Sequence, residues 1–249
     1  MIDVHCHLLP GLDDGARDLH NALSLAYQLV QAGFQKVIAT PHVFEGRNFL
    51  SPEIIRESVA FLNLELKGNG LPLKVLPGAE YYIFPELPEY LKKEKLLTLA
   101  DSQKYLLIEL PMHQLPLYSS QVIFQLQTQG ITPVLAHPER YSYFFEAREF
   151  LLQWEKNGVL LQIDLGSLKG VYGTKAFKMA NWLLKKGLVH LIGTDAHRPS
   201  KNDDSYKKTL QGLLQRFGSQ QFKHYFKIRP QAILSGANFN PALGKKCNS

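Results

Sequence analysis

His5 and His7 stand two apart in Asp3-Val4-His5-Cys6-His7, and six more groups of the same chemical kind close later apolar runs: His42, Glu80, Glu109, His137, Asp195 and His197. Alternate side chains on a strand share a face, so two imidazoles at this spacing can grip one ion while Cys6 points away. Asp195 and His197 repeat the spacing in Gly193-Thr194-Asp195-Ala196-His197. Thr40-Pro41-His42 and Ala136-His137-Pro138 each end an apolar strand in an imidazole beside a proline that fixes the local backbone. Glu80 and Glu109 follow Val75-Leu76-Pro77-Gly78-Ala79 and Tyr105-Leu106-Leu107-Ile108, where a buried carboxylate without a cation would cost several kcal/mol. Imidazole and carboxylate without thiolate favour Mn, Fe, Zn or Co over a structural zinc site. Ions paired about 3.5–4 Å apart acidify a bound water and neutralise charge on phosphate oxygens, so metal-assisted hydrolysis is the expected chemistry.

Such groups converge only if parallel strands end on one rim. Short aliphatic runs alternate with stretches of helical period, the pattern of repeated βα units. Strands are predicted near 2–6, 35–40, 73–80, 104–110, 132–136, 159–164 and 188–193. Helices are predicted near 17–32, 52–67, 87–95, 119–129, 143–156 and 174–186, with two more at 203–217 and 219–227. Ser51-Pro52 reads as an N-cap followed by proline at the first helical position, and Gly33, Gly130, Gly158 and Gly187 stand where helices should stop. Seven such units predict an α/β fold, a closed or nearly closed barrel with extra C-terminal helices. An open doubly wound sheet is the alternative, but Pro10-Gly11-Leu12-Asp13-Asp14-Gly15 is no glycine-rich phosphate loop.

The 249 residues, 45% hydrophobic and 20% charged, suit a single domain over 1–249, with a loosely ordered tail from about 237. No apolar run is long enough to span a bilayer, and the opening Ile2-Asp3-Val4 has no signal-peptide pattern, so the cytoplasm is the expected compartment. Cys6 and Cys247 offer no disulfide framework. The net charge of +6 is local: residues 201–249 carry nine Lys/Arg against Asp203 and Asp204, and the preceding 200 residues balance to −1. This basic segment is a solvated helical face or a surface for acidic peptides or anionic membranes.

The segments Met1 to Gly15, Ala39-Thr40-Pro41-His42, Gly78-Ala79-Glu80, His137-Pro138-Glu139-Arg140 and Thr194-Asp195-Ala196-His197 resemble the polymerase-and-histidinol-phosphatase superfamily. More narrowly they resemble its bacterial manganese-dependent protein-tyrosine phosphatases of capsule and exopolysaccharide systems. The resemblance runs from residue 1 to about 200 and implies a distorted (β/α)7 TIM-like barrel with a three-ion Mn2+ site. His5, His7, Glu80 and Asp195 would hold one ion, Glu80, Glu109 and His137 a second, and Asp14, His42 and His197 a third. Arg140 would clamp the substrate phosphate through its planar fork, with metal-bound hydroxide attacking phosphorus. The implied partner is the tyrosine-rich tail of a membrane-associated tyrosine autokinase. Two departures stand out. Asp164 replaces the family's usual asparagine and is not assigned as a ligand, and Arg198-Pro199-Ser200-Lys201 replaces a His-Asn sequence, so the second phosphate-binding cation is expected in Arg198 or Lys201.

His20, His113, His190 and His224 are expected to be structural or exposed, with His113 the one placed to line a cleft. The segments 81–84 and 141–145 are expected to form aromatic cleft walls or to pack internally. A thiol phosphatase is excluded, because the arginine required six residues after Cys6 is Leu12. The rival enzyme is a small-molecule phosphatase such as histidinol phosphatase. The rival from another class is a non-catalytic metal-dependent regulatory module or a nucleic-acid binder, against which the complete ligand set argues.

Overall fold

In a parallel sheet covered by helices both strand faces are buried, so such strands read as unbroken apolar runs. The computed structural model of the chain, described over residues 1–47, 49–200 and 205–238, is built this way. Its nine strands are β1 (Ile2–Cys6), β2 (Lys36–Ala39), β3 (His42–Val43), β4 (Lys74–Pro77), β5 (Glu80–Tyr82), β6 (Tyr105–Glu109), β7 (Thr132–Ala136), β8 (Leu160–Asp164) and β9 (Leu191–Gly193). Every pairing among them is parallel. The helices are α1 (Leu19–Gln31), α2 (Pro52–Gly68), α3 (Leu87–Lys92), α4 (Ser119–Thr128), α5 (Arg148–Lys156), α6 (Gly173–Lys185), α7 (Ser205–Lys223) and α8 (Arg229–Ser235). Ser51 caps α2 by accepting from Ile54 N, with Pro52 in the first turn. Gly33, Gly130, Gly158 and Gly187 all take the left-handed backbone that ends a helix.

One expectation needs correction. The strands do not close into a continuously hydrogen-bonded barrel but form two sheets, ordered β1-β2-β4 and β3-β5-β6-β7-β8-β9. The predicted strand 73–80 splits into β4 and β5 at Gly78-Ala79, and the second strand continues beyond Thr40-Pro41 as β3, which periodicity did not indicate. Pro41 has no N–H to give a ladder, and a Cβ on Gly78 would stand 2.7 Å from Ile38 Cγ2, so the chain bends there through a glycine. Two backbone bonds, Asp195 N to His5 O and His7 N to Ala196 O, each 2.9 Å, tie the end of β1 to the residues after β9.

The free edge of β4 is closed by a side chain. Asn63 of α2 accepts from Val75 N at 3.0 Å and donates to Val75 O at 2.9 Å, imitating a neighbouring strand. Val75 is fully buried, so Asn63→Ala strands two backbone groups and is expected to cost about 2–3 kcal/mol by urea denaturation. A loss below about 0.5 kcal/mol would show that water replaces the amide.

Most of the core lies between strands and helices, drawing on Leu25, Ile55, Leu62, Leu126, Leu151, Met179 and Leu213. A separate cluster joins Val4, Ile38, Leu107, Val134, Leu160 and Leu191 of six strands to Ile233 of α8. The two C-terminal helices predicted at 203–217 and 219–227 are found, from Ser205 on, as two helical segments that α7 joins across a break at Gly218, where φ is 73° and ψ 164°. The tail from residue 239, with Cys247, and Lys201 lie outside the described residues. Among the described residues, no helix is long and apolar enough to cross a membrane.

Candidate metal centre

Parallel strands carry their C-terminal ends to one rim, and the predicted groups gather there. His5 lies in β1 with His7 just beyond, His42 opens β3, Glu80 opens β5, Glu109 ends β6, and His137 follows β7. His137 and Asp195 hold left-handed backbones, φ 33° and 48°, which cost a non-glycine residue of order 1–3 kcal/mol and persist where the surroundings impose them.

Three donor groups overlap. His5, His7, Glu80 and Asp195 form one, His7, Asp14, His42 and His197 a second, and His42, Glu80 and Glu109 a third. In the first, His5 Nε2 and His7 Nε2 are 3.1 Å apart, Glu80 Oε2 lies 3.1 and 3.3 Å from them, and Asp195 Oδ1 3.3 and 3.2 Å. Ligands sharing one ion through bonds of about 2.0–2.2 Å stand roughly this far apart. Asp195 Oδ1 makes no hydrogen bond despite those two ring neighbours, nor does the buried His42 Nδ1. Lone pairs that face one another in this way suit a shared cation.

The second and third groups differ in detail from the expected partition. His42 Nδ1 lies 3.2 Å from Glu80 and 3.4 Å from Glu109, while its Nε2 is 3.7 Å from Asp14, so His42 stands between two groups rather than within one. His137 Nε2 meets Glu80 Oε1 at 3.0 Å and is 3.7 Å from Glu109. His197 Nε2 is 3.3 Å from Asp14, and its ring stacks on His7 at 3.9 Å.

The electrostatics call for positive charge. Burial alone lowers the His5 pKa, but Glu80 and Asp195 outweigh it and push it up to about 10. Burial, reinforced by the Glu80 charge, pushes Glu109 up to about 9. His5 and Glu109 thus favour their protonated forms, and a cation bound there must displace those protons.

Two supporting residues escaped the sequence reading. His7 Nδ1 is 2.6 Å from Asp13 Oδ2, and His5 Nδ1 is 2.8 Å from Gln162 Oε1, partners that fix each ring's orientation. Gln162 was detectable as the lone amide in an apolar strand, whereas nothing in Asp13-Asp14 says which carboxylate faces which ring. Asp13 also accepts from Gly15 N and His42 N, folding the loop tightly. A Cβ on Gly15 would fall 2.2 Å from His7 O and 2.6 Å from His7 Cβ. Gly15→Ala is therefore expected to cost about 1–3 kcal/mol and to lower bound metal measured by elemental analysis. Full metal occupancy with unchanged stability would contradict this close approach.

Arg140 Nη1 donates to Asp195 Oδ2 at 2.6 Å and Asp164 Oδ2 at 3.2 Å, and its guanidinium lies 4.3 Å from the Tyr172 ring centroid. Asp164 is thus a partner of Arg140, absent from the donor groups. A cavity of about 450 Å³ opens here, lined by Arg140, Tyr172, Asp195, His197, Tyr206 and Lys169. Arg198 is exposed and is not among its lining residues. Of the two readings of the aromatic segments, internal packing holds for Tyr81, Tyr141 and Phe144, which are core residues, while the aromatic residues lining this cavity are Tyr172 and Tyr206. His20 and His113 are exposed, His224 is half-buried, and His190 is buried and accepts from Leu161 N.

Residues 1–235 match the family described as capsular polysaccharide synthesis, CpsB/CapC. The chain is 38% identical to the tyrosine-protein phosphatase YwqE of Bacillus subtilis, over 88% of this chain and 86% of that one. It is 31% identical to the putative tyrosine-protein phosphatase CapC of Staphylococcus aureus, over 95% and 89% of the two. A solved structure from work on YwqE and on CpsB from Streptococcus pneumoniae, described there as metal-dependent tyrosine phosphatases, superposes with a TM-score of 0.88 at 35% identity, covering 96% of each chain. With a matching family pattern over nearly its whole length and a shared fold, this chain belongs to the CpsB/CapC family of capsular polysaccharide synthesis.

Proposed function

We propose that the chain is a metal-dependent protein-tyrosine phosphatase of capsule or exopolysaccharide synthesis, hydrolysing phosphotyrosine on a protein, with a membrane-associated tyrosine autokinase as its partner. The observation that carries this reading is the overlap of three donor groups through His7, His42 and Glu80 beside a cavity that holds Arg140. We assign His5, His7, Glu80 and Asp195 to one ion, Glu80, Glu109 and His137 to a second, and Asp14, His42 and His197 to a third, with His42 close enough to Glu109 to serve the second as well. The donor chemistry fits Mn2+, with Fe, Zn or Co as alternatives. We also read the two sheets as one distorted (β/α)7 barrel in a single domain, which the backbone bonds between β1 and the residues after β9 support, and place the protein in the cytoplasm, where the buried free thiol of Cys6 stays reduced.

Bound cations supply an acidified water and neutralise charge developing on phosphate oxygens. The protein's own groups do the rest. The fully buried His5, His7 and Glu80 form a floor closed to solvent, while His42, His197 and Asp14, with side chains 14%, 26% and 68% exposed, form the rim that substrate meets. Arg140 offers its fork to nonbridging phosphate oxygens once a substrate competes with Asp195 and Asp164. Tyr172, in contact with Arg140, gives an aromatic face against which a phenyl ring can lie.

The test is phosphate release from a phosphotyrosyl peptide and from histidinol phosphate, with Mn2+ and with a chelator, alongside elemental analysis. Turnover of the peptide should dominate, vanish with the chelator and return on adding Mn2+. Preference for histidinol phosphate would end the tyrosine reading, and activity that survives full metal removal would end the metal reading.

A further inference from the structure

Two cations of the basic C-terminal fifth, Lys208 and Arg216, line a groove on α7. The cavity that holds Arg140 shares the lining residues Lys169, Ser205 and Thr209 with this second groove of about 520 Å³ beside Leu168, Lys169 and α7. Leu168 and Leu213 line this second groove together with the exposed Lys208 and Arg216. Lys208, Gly212 and Arg216 are four apart and share one helix face. Gly212 leaves open space where a side chain would stand, so a ligand backbone can approach the helix. Arg216 is held in place by a 2.5 Å bond from Nη2 to Asn181 Oδ1, and Lys169 Nζ donates to Ser205 Oγ at 3.0 Å where the two cavities meet. Residues 165–200 and 205–238 contain twelve Lys/Arg and one carboxylate, Asp195, which belongs to the metal centre; Asp203 and Asp204 lie outside the described residues.

We propose that this groove is a docking channel for an anionic stretch of the substrate polypeptide, carboxylates or further phosphates that flank the phosphotyrosine lodged in the cavity. The inference rests on the phosphatase reading above and adds to it the substrate's flanking chemistry. The shared wall favours a polypeptide over a membrane or nucleic acid, because a chain with its phosphotyrosine beside Arg140 can cross Lys169 and reach the cations Lys208 and Arg216. Both cations are exposed, so their attraction for anions is screened by salt.

The double variant Lys208→Glu/Arg216→Glu separates docking from chemistry. Four substrates are compared: p-nitrophenyl phosphate, which has no flank, and phosphotyrosyl peptides flanked by neutral residues, by glutamates, or by a second phosphotyrosine. The double variant should raise KM for the two anionic peptides about tenfold, leave their kcat unchanged, and alter p-nitrophenyl phosphate and the neutral peptide by less than about twofold. A lysine-flanked peptide should become the better substrate of the variant, an inversion that damage to the fold cannot produce. Which anionic peptide loses more identifies carboxylate or phosphate as the docked group. If the double variant does not fold, Lys208→Ala and Arg216→Ala should shift KM in the same direction. Fluorescence anisotropy with a glutamate-flanked peptide that carries a non-hydrolysable phosphonate should show the same loss of affinity. That readout stays valid even if the parent protein hydrolyses none of the substrates, an outcome that strikes the phosphatase reading alone. The docking proposal is overturned if the parent prefers no anionic flank, if all four substrates suffer equally, or if the variant loses only retention on phosphatidylglycerol vesicles or on single-stranded DNA.

Discussion

Glu80→Gln should abolish phosphotyrosine turnover, lowering kcat/KM at least about 10³-fold, roughly 4 kcal/mol of transition-state stabilisation. Its carboxylate meets four imidazoles. Its Oε2 lies 3.1, 3.3 and 3.2 Å from nitrogens of His5, His7 and His42, and its Oε1 3.0 Å from His137. Glutamine keeps the shape but replaces one negatively charged oxygen with an amide that can only donate, in a position that needs a donor of electron pairs to a cation. Glu80 itself is fully buried, so bulk water does not compensate there. Elemental analysis should show metal falling together with activity, while circular dichroism stays that of the parent. Full metal content with activity within tenfold of the parent would remove Glu80 from the shared position.

The second large effect is at Arg140, where two roles must be separated. Arg140→Ala should lower kcat/KM about 10²–10³-fold and weaken inhibition by inorganic phosphate, because the fork that holds phosphate oxygens is gone. The same change leaves Asp164, fully buried and already pushed well up by burial and by the Asp195 charge, without its cation. Asp164 then loses this hydrogen-bond donor, which costs about 1–3 kcal/mol, so stability should fall as well. Arg140→Lys keeps the charge but not the planar geometry and should lose about tenfold in kcat/KM with most stability retained. The Arg140→Ala/Asp164→Asn double variant should recover stability without recovering activity. If activity returned with stability, Arg140 would be a structural cation only.

The spacing of His5 and His7, and of Asp195 and His197, showed in the sequence because strand geometry is local: a period of two decides which side chains share a face wherever the strand sits. The stops at Gly33, Gly130, Gly158 and Gly187 were legible for the same reason, since a left-handed backbone is a property of one residue. The division into two sheets was not. It goes with contacts between distant segments, Asn63 of α2 reaching Val75 at the edge of β4, and Gly78 lying where a Cβ would meet Ile38. Periodicity read the segments 81–84 and 141–145 as equally suited to core and cleft, and packing put most of their rings in the core.

By itself, then, the sequence determined the inventory of this protein: imidazoles and carboxylates at strand ends, parallel units to carry them, and a cation-seeking chemistry. Only the tertiary structure decided the partnerships. Gln162 stands 157 positions from His5, Glu80 75 positions from it, and Asp195 55 from Arg140. Contacts at such separations are set by how strands lie beside one another, which no local spacing encodes. The same holds for the basic residues, whose charge was plain in the sequence: Lys208 and Arg216 stay exposed, and only the packing of α7 beside the Ser167–Lys169 turn sets them along a groove.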